Sequence, residues 1–279
     1  MRQVTPMQRP SPSSLSVVTL WQHRSLLRQF TSRQIEARHR GSLLGMTWAF
    51  LNPLLMLGLY TFIFSVVFPG QFGDGPEQPK YALIIFGGLI CYHLMADVLA
   101  TAPGVITSNP NFVKKVVFPL EILPAAVVGA SLFHLLVSVG LFLVGALILG
   151  HAFTLHALWL PLIVLPLLLL ALGMGWILSA LGVFLRDLQQ IMGFLNLILL
   201  YASCIFFPPA RVADLAPAVW SILRFNPLLQ TIELVRQTVL WGHAPDLGAL
   251  AYTTTCGLVC FAAGYAFFRA TRPAFADVV

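Results

Sequence analysis

Apolar positions along the chain gather into six long runs separated by shorter polar segments. The runs cover roughly residues 45–68, 81–101, 122–150, 155–184, 191–207 and 247–268. A helix needs about 20 apolar residues to cross the hydrocarbon layer of a membrane. An open sheet in that layer would leave backbone polar groups unpaired, whereas a helix pairs them internally. The pattern therefore predicts an all-α integral membrane protein with six transmembrane helices.

Composition supports this prediction. Of the 279 residues, 58% are hydrophobic and only 9% are charged, and the mean hydropathy is +0.85, whereas charged residues make up about 25% of soluble domains. The net charge is +6, but the basic residues cluster at the ends of the apolar runs without interleaved aromatic residues. We interpret them as anchors to membrane lipids, and we expect no nucleic-acid partner.

The distribution of Lys and Arg predicts the orientation of the chain. With six spans both termini lie on one side, and that side carries twelve Lys and Arg residues against four on the other. Because positive residues accumulate on the cytoplasmic side, both termini are expected in the cytoplasm. We expect no cleaved signal peptide, since more than forty mostly polar residues precede the first run. The predicted division is a cytoplasmic arm (1–44), a membrane domain (45–269) and a cytoplasmic tail (270–279).

The arm contains a basic, partly amphipathic segment. Leu20, Leu27 and Phe30 share one helical face, which predicts a helix lying along the membrane interface, although Arg24 and Arg38 intrude on that face. A solvated basic arm is the alternative. In the first span, Pro53 removes a backbone donor and predicts a kink, which either faces a protein-lined pathway or serves packing alone.

The segment 208–246 before the last run is too long for a turn and too apolar for a solvated loop. It is predicted to form two short helices, 216–225 and 228–241, separated by Asn226 and Pro227. Charged residues make a full crossing unfavourable, so we expect a re-entrant or interfacial hairpin on the outer side.

Few residues suggest catalysis or cofactor binding. The sequence contains no GxxxxGK[ST] phosphate loop, no HExxH and no GxSxG, so the chain is not expected to bind ATP or a metal. His93 and Asp97 lie one turn apart in the second span; we interpret Asp97 as a polar contact near the cytoplasmic end and His134 as a core histidine. The four cysteines, which all lie in apolar runs, are interpreted as packing residues.

Two predicted cytoplasmic segments are more informative. Residues 109–124, NPNFVKKVVFPLEILP, form a short amphipathic piece that exposes Lys114 and Lys115 while Phe112 can pack. Residues 185–190, LRDLQQ, form a tighter turn. Such segments can bind a cytoplasmic partner, or they can be ordinary positively charged inner loops.

The order of four motifs resembles a known family. KKVVFPLEILP between spans two and three, RDLQQI after span four, FNP at 225–227 and the terminal FADVV are together similar to the membrane subunits of bacterial polysaccharide ABC exporters. These are type-2 ABC permeases that move lipid-linked O-antigen, capsule or teichoic acid chains. The resemblance covers nearly the whole chain.

The resemblance implies an inner-membrane homodimer that works with two copies of a separate ATPase subunit, which would use ATP and Mg. This chain itself would hold no cofactor. The resemblance also implies that 109–119 is a coupling helix seated on the ATPase and that the turn after span four is a second contact. The implied coupling residues are Asn111, Phe112, Lys114, Lys115, Arg186 and Asp187.

A glycan pathway is predicted from aromatic residues in spans one and five, because sugar rings rest on aromatic faces and weak repeated sites permit sliding. The candidate pathway residues are Tyr60, Phe64, Tyr201 and Asn52. Lipid-facing packing is the alternative for these side chains. Two other functions remain open: a type-2 exporter of a small hydrophobic compound, and a membrane enzyme acting on lipid-linked sugars with His93 and Asp97 as acid and base.

Overall fold

The computed structural model of the chain describes residues 21–39, 41–63, 81–114 and 118–278. These residues form twelve α-helices and contain no strand, which confirms the all-α prediction for the described part of the chain. In chain order the helices are α1 (Arg24–His39), α2 (Trp48–Phe62), α3 (Tyr81–Thr101), α4 (Pro110–Lys114), α5 (Ile122–Ile148), α6 (Leu160–Phe184), α7 (Leu188–Ala202), α8 (Pro209–Leu215), α9 (Pro217–Leu223), α10 (Pro227–Val235), α11 (Leu247–Thr271) and α12 (Phe275–Val278).

Four helices of the described residues are long and apolar enough to cross a membrane. Counting the short helical turns that extend α3, α6 and α11, they are Tyr81–Gly104, Ile122–Ile148, Leu155–Phe184 and Leu247–Ala274. These four match predicted runs two, three, four and six. The apolar helix α7 is shorter, and α2 ends at Phe62 while residues 64–68 of the first predicted run lie outside the described residues. The number of six spans stays a prediction.

Helix α3 occupies the centre of the bundle, where it packs against α2, α5, α6, α7 and α10. Its most apolar window is 89% buried, whereas the corresponding windows of the other three long helices are at most 33% buried. A helix that is apolar on all sides is suited to such a position. The centre of a single chain is therefore filled with side chains of α3.

Helices α6 and α11 pack closely because glycines lie at their crossing. A methyl group added to Gly173 would overlap the backbone of Cys260, and one added to Gly264 would overlap the backbone of Gly173. Gly257 similarly faces the carbonyl of Pro166. Close backbone approach through small residues is a common way for membrane helices to associate, because apolar lipid provides no hydrophobic drive between them.

The prediction that span five reaches residue 207 is wrong, because α7 ends at Ala202. Cys204 has a φ of 49°, in the left-handed region that stops a right-handed helix. The carbonyls of Cys204 and Ile205, which have left the helix, accept hydrogen bonds from the Arg236 guanidinium at 3.1 and 2.8 Å. A long-range polar contact therefore stabilises the end of α7.

The segment after α7 contains three short helices, α8, α9 and α10, followed by a π-helical turn, Arg236–Leu240. The predicted break at Asn226–Pro227 is confirmed: Asn226 caps α10, and its side-chain oxygen accepts a hydrogen bond from the Leu228 amide at 3.0 Å. The two predicted helices, 216–225 and 228–241, correspond to α9 and to α10 with the π-helical turn; α8 was not predicted, and a break at Ala216 separates it from α9. Pro217 begins the next helix there and disfavours a helical conformation for the residue before it.

The amphipathic segment of the arm forms α1, which confirms a helix there; Leu20 lies outside the described residues. Phe30 packs against two aromatic rings from the segment between α3 and α5, and Ile35 is buried. Arg38, which interrupted the apolar face in the sequence, pairs with Asp97 at 2.7 Å. The interpretation of Asp97 as a polar contact is thereby confirmed.

Candidate functional site

One end of the bundle brings together the segments that the sequence singled out for partner binding. This end, called the basic end below, consists of α1, α4, the turn between α6 and α7, and the C-terminal residues 272–278. Exposed or partly exposed cationic residues on it include Arg24, Arg28 and Arg33 of α1, Lys114 of α4, Arg186 and Arg272. The surface combines positive charge with aromatic side chains.

Helix α4 is held on the basic end by an aromatic cluster. The ring centroid of Phe112 lies 4.7 Å from that of Phe118 and 5.3 Å from that of Phe30, and Phe30 and Phe118 are also 5.3 Å apart. Aromatic pairs at these separations stabilise by about 0.5–1.5 kcal/mol each beyond their buried area. Phe112 therefore packs as predicted, and through Phe30 it joins α4 to α1.

The other predicted coupling residues of α4 face outward where the structure describes them. Asn111 and Lys114 are exposed, as the amphipathic pattern predicted. Lys115 lies outside the described residues. The five-residue helix thus presents a polar and basic face away from the bundle while Phe112 anchors the opposite face.

The second predicted contact segment lies next to the first. Arg186 and Asp187 are exposed in the turn between α6 and α7. Arg186 lines a cavity of about 390 Å³ together with Pro110 at the start of α4, Gln189 and the C-terminal Val278. The structure therefore joins two segments that are more than seventy residues apart in the sequence into one surface.

Two of the candidate pathway residues meet at a third aromatic side chain. The ring centroids of Tyr60 on α2 and Tyr201 on α7 lie 6.4 and 6.1 Å from that of Phe206. The Phe206 carbonyl accepts a hydrogen bond from the Tyr81 hydroxyl, which attaches the group to the start of α3. Phe64 lies outside the described residues. Phe206 was noted in the sequence only as one aromatic among many, since its place between two tyrosines depends on the turn after α7.

Asn52 lies in a different environment. It lines a cavity of about 360 Å³ between α2, α3 and α5, together with Pro53, His93, Asp97 and His134. The residues around Pro53 therefore face a protein-lined cavity, as one interpretation of the proline predicted. The cavity gathers Asn52, His93, Asp97 and His134, the polar residues of the first three apolar runs that the sequence analysis singled out.

Two charged residues important for the architecture were missed or misplaced by sequence reasoning. Arg236 was counted among the outer-side charges of the hairpin, but its side chain is fully buried. Its guanidinium pairs with Glu233 at 2.6 Å and also donates to backbone carbonyls. Arg272 was counted only for orientation, yet it pairs with the buried Glu121 at 3.0 Å. Neither role has a local sequence signal, because the partner atoms come mainly from distant segments.

Four described helices of membrane length and a positively charged surface at one end of the bundle are typical of a multi-pass membrane protein. The chain matches the family model for ABC-2 type transporter over residues 25–240. The chain belongs to this family. It is a multi-pass membrane permease, and the earlier alternative of an enzyme acting on lipid-linked sugars is wrong.

Individual relatives agree with the family. The chain is 30% identical over 261 residues to an O-antigen export system permease protein, RfbA, from Myxococcus xanthus, an alignment covering 93% of this chain and 97% of the relative. It is 26% identical to an RfbA of Klebsiella pneumoniae, covering 91% and 95%. It is also 27% identical to the polysialic acid transport protein KpsM of Escherichia coli, covering 87% and 92%. The resemblance to polysaccharide exporter permeases drawn from the sequence is confirmed.

Proposed function

We propose that the chain is the membrane half of an ATP-driven exporter of a lipid-linked polysaccharide in the bacterial inner membrane. O-antigen is the first candidate substrate, and a capsule polysaccharide or teichoic acid is the second. The observation that carries this proposal is near full-length similarity to permeases named for O-antigen export and polysialic acid transport. In the proposed complex this chain hydrolyses no ATP, because ATP and Mg are used by a separate subunit.

The proposed topology has six spans, with a re-entrant hairpin formed by α8, α9 and α10 and with both termini in the cytoplasm. The four long apolar helices supply spans two, three, four and six. Helices α2 and α7 would supply the remaining spans, one and five. The asymmetric distribution of Lys and Arg supports cytoplasmic termini and a basic end at the cytoplasmic face. The proposed division is the arm 1–44, the membrane domain 45–269 and the tail 270–279.

In this topology the basic end is the docking surface for the ATPase subunit. Asn111, Phe112, Lys114 and Lys115 would form the main coupling contact, and Arg186 and Asp187 the second. The shared cavity between Pro110 and Arg186 supports a single continuous surface. Exposed cations beside half-buried aromatic rings suit a partner surface that combines carboxylates with apolar side chains.

The proposed assembly is a homodimer with two ATPase copies, and the glycan pathway lies between the two permeases. The filled centre around α3 supports this, because a sugar chain needs a wide passage that one subunit does not offer there. Tyr60 is half-buried, and the side chain of Tyr201 is 54% exposed at the surface of the bundle. A second copy packed against this surface can complete the passage. Phe64 and Asn52 remain candidate members of the pathway.

The test is reconstitution of the permease with the candidate phosphate-loop ATPase subunit. The complex is purified, its permease copy number is measured by native mass spectrometry, and bound lipid-linked glycan is identified by mass spectrometry. We expect two permeases, two ATPases and retained glycan. Retention of a small hydrophobic compound without glycan would replace the substrate assignment, and an active complex with one permease would exclude the dimer.

Coupling is tested separately in the same complex. The combined change Phe112→Asp, Lys114→Glu and Lys115→Glu is expected to abolish export. The double change Lys114→Glu and Lys115→Glu is expected to do so with permease abundance unchanged, because Lys114 is exposed, whereas Phe112→Asp also removes the ring contacts to Phe30 and Phe118. His156→Gln, on the segment before α6, is the control variant. Unchanged export by the triple variant would remove α4 from the mechanism.

A further inference from the structure

One motif that carried the family resemblance forms an ion pair on the basic end with an arginine that lies just before a second such motif. Glu121 belongs to the KKVVFPLEILP motif and directly precedes α5, while Arg272 lies directly after α11, three residues before the FADVV motif. The Arg272 guanidinium donates through Nη1 to Glu121 Oε1 at 3.0 Å and through Nη2 to the carbonyl oxygen of Phe118 at 3.1 Å. The pair joins positions 151 residues apart.

The pair is constrained by burial. The Glu121 side chain is 6% exposed, whereas that of Arg272 is 39% exposed. Glu121 Oε2 is buried and accepts no hydrogen bond from any described residue. A buried carboxylate requires a cation or several donors, so Arg272 largely determines where this carboxylate can sit. The backbone of Glu121 is also fixed, because its carbonyl accepts a hydrogen bond from the buried Trp176 indole at 3.1 Å.

The C-terminal side of the pair is equally well anchored. Phe275 is fully buried, and its ring centroid lies 5.4 Å from that of Phe268 on α11 and 6.0 Å from that of Phe184 at the end of α6. Arg272 therefore projects from a rigid support rather than from a loose tail.

The other side of the pair leads directly to α4. Arg272 binds the carbonyl of Phe118, and the Phe118 ring stacks on Phe112 with centroids 4.7 Å apart. A groove of about 310 Å³ between α4 and the C-terminal residues is lined by Phe112, Val113, Arg272 and Ala276. Movement of α4 toward or away from the bundle must therefore change or break contacts that Arg272 makes.

We propose that Arg272 is a positioning residue for energy coupling: with Glu121 it clamps the coupling helix α4 to the C-terminal end of α11. This proposal rests on the proposed function, because it assumes that α4 receives the movement of an ATPase. The clamp transmits that movement to α5 through Glu121 and to α11 through Arg272. The C-terminal residues 272–278 thus belong to the coupling machinery.

The test uses the reconstituted permease–ATPase complex and the double variant Glu121→Gln, Arg272→Gln. This variant removes both charges together, so no unpaired buried charge is left to unfold the protein. Arg269→Gln is the matched control, since Arg269 lines the same groove but is not part of the ion pair. Export per ATP hydrolysed and the increase of ATPase rate caused by the permease are both measured.

We expect assembly to be retained and export per ATP to fall by about two- to thirty-fold in the double variant, the range of coupling changes produced by substitutions outside binding sites. The Arg269→Gln control is expected to stay within about two-fold of wild type. Arg272→Lys keeps the charge but loses the two-pronged geometry, and an intermediate loss is expected. If the double variant does not accumulate, the export per ATP measured for Arg272→Lys tests the clamp by itself.

The clamp would be overturned if the double variant exported as much per ATP as the wild type. If the double variant does not accumulate, the same result for Arg272→Lys would overturn it. An equal loss in Arg269→Gln would also overturn it, because general surface charge would then explain the effect. Failure of the proposed function looks different: the wild-type complex would then export no polysaccharide. The clamp would still be tested by the permease-dependent change in ATPase rate.

Discussion

Arg236 and Glu233 lie one turn apart on the same helical segment, with Nη1 and Oε1 2.6 Å apart, yet the arginine side chain is fully buried while the glutamate side chain is 23% exposed. The buried guanidinium also donates to the carbonyls of Cys204 and Ile205, at the point where α7 has ended. One side chain therefore connects the π-helical turn after α10 to the end of α7.

Replacing Arg236 by Leu is expected to destabilise the permease strongly. The change leaves buried carbonyls without their donor and removes the cation beside Glu233, and breaking a buried pair typically costs about 3–5 kcal/mol. The measurement is the thermal unfolding midpoint in detergent together with the folded yield. Arg224→Ala is the control, because Arg224 is exposed at the end of α9, in the same segment between α7 and α11, and only small changes are expected there. A wild-type midpoint for Arg236→Leu would contradict the structural role.

The Arg38–Asp97 pair is expected to contribute little to stability. Both side chains are about one-third exposed, with relative exposures of 34% and 29%, and partly exposed ion pairs contribute about 1 kcal/mol or less. A double-mutant cycle with Arg38→Gln and Asp97→Asn measures the coupling energy between them from unfolding midpoints. A coupling energy above about 2 kcal/mol would show that the membrane environment makes this pair far stronger than an ordinary surface pair.

The glycine crossing of α6 and α11 predicts a sharp steric effect. Gly264→Ala places a methyl group against the backbone of Gly173, so the two helices must separate. We expect the free energy of unfolding, measured in detergent, to fall by about 1–3 kcal/mol, as it does at other overpacked positions. Gly140→Ala in α5 is the matched control, because nothing lies within 4 Å of the added methyl group. That change is expected to be neutral or slightly stabilising, and equal losses in both variants would argue against the close crossing.

The aromatic group around Phe206 predicts a transport phenotype. Tyr60→Leu combined with Tyr201→Leu keeps apolar volume approximately while removing two ring faces. If sugar rings slide past these faces, glycan export and glycan-stimulated ATP hydrolysis fall, while assembly with the ATPase is retained. Phe267→Leu on α11 is the control for loss of an exposed aromatic ring elsewhere. Unchanged export in the double variant would assign the tyrosines to packing or lipid contact.

The proposed topology is tested by reporter fusions. Alkaline phosphatase inserted between His151 and Thr154 is expected to be active, since this turn between α5 and α6 lies on the outer side in the six-span arrangement. Phosphatase inserted after Arg186 is expected to be inactive, and green fluorescent protein at the C-terminus is expected to fluoresce. The reverse pattern at these sites would invert the orientation derived from Lys and Arg.

Helix positions were largely readable from the sequence, because they depend on local properties. The run predicted at 81–101 is α3, Tyr81–Thr101, and the starts of α5 and α11 also agree with the predicted runs. A long apolar stretch forms a helix whether it is buried in the bundle or faces lipid. The break at Asn226–Pro227 is also local, because Asn226 caps the helix that follows and Pro227 has no backbone N–H to donate. The side of α4 that packs was readable for a similar reason, since Phe112 and Val113 are its apolar residues between Asn111 and Lys114.

Contacts between distant segments were decided only by the tertiary structure. The sequence contains no sign that Arg272 reaches Glu121 across 151 positions, that Arg236 is buried against the end of α7, or that Phe206 separates Tyr60 from Tyr201. In an apolar helix every face is hydrophobic, so periodicity does not reveal which face turns toward a neighbour. The packing of backbones through glycines sets those faces, and the few buried charges then pair with whichever groups the packing brings within reach.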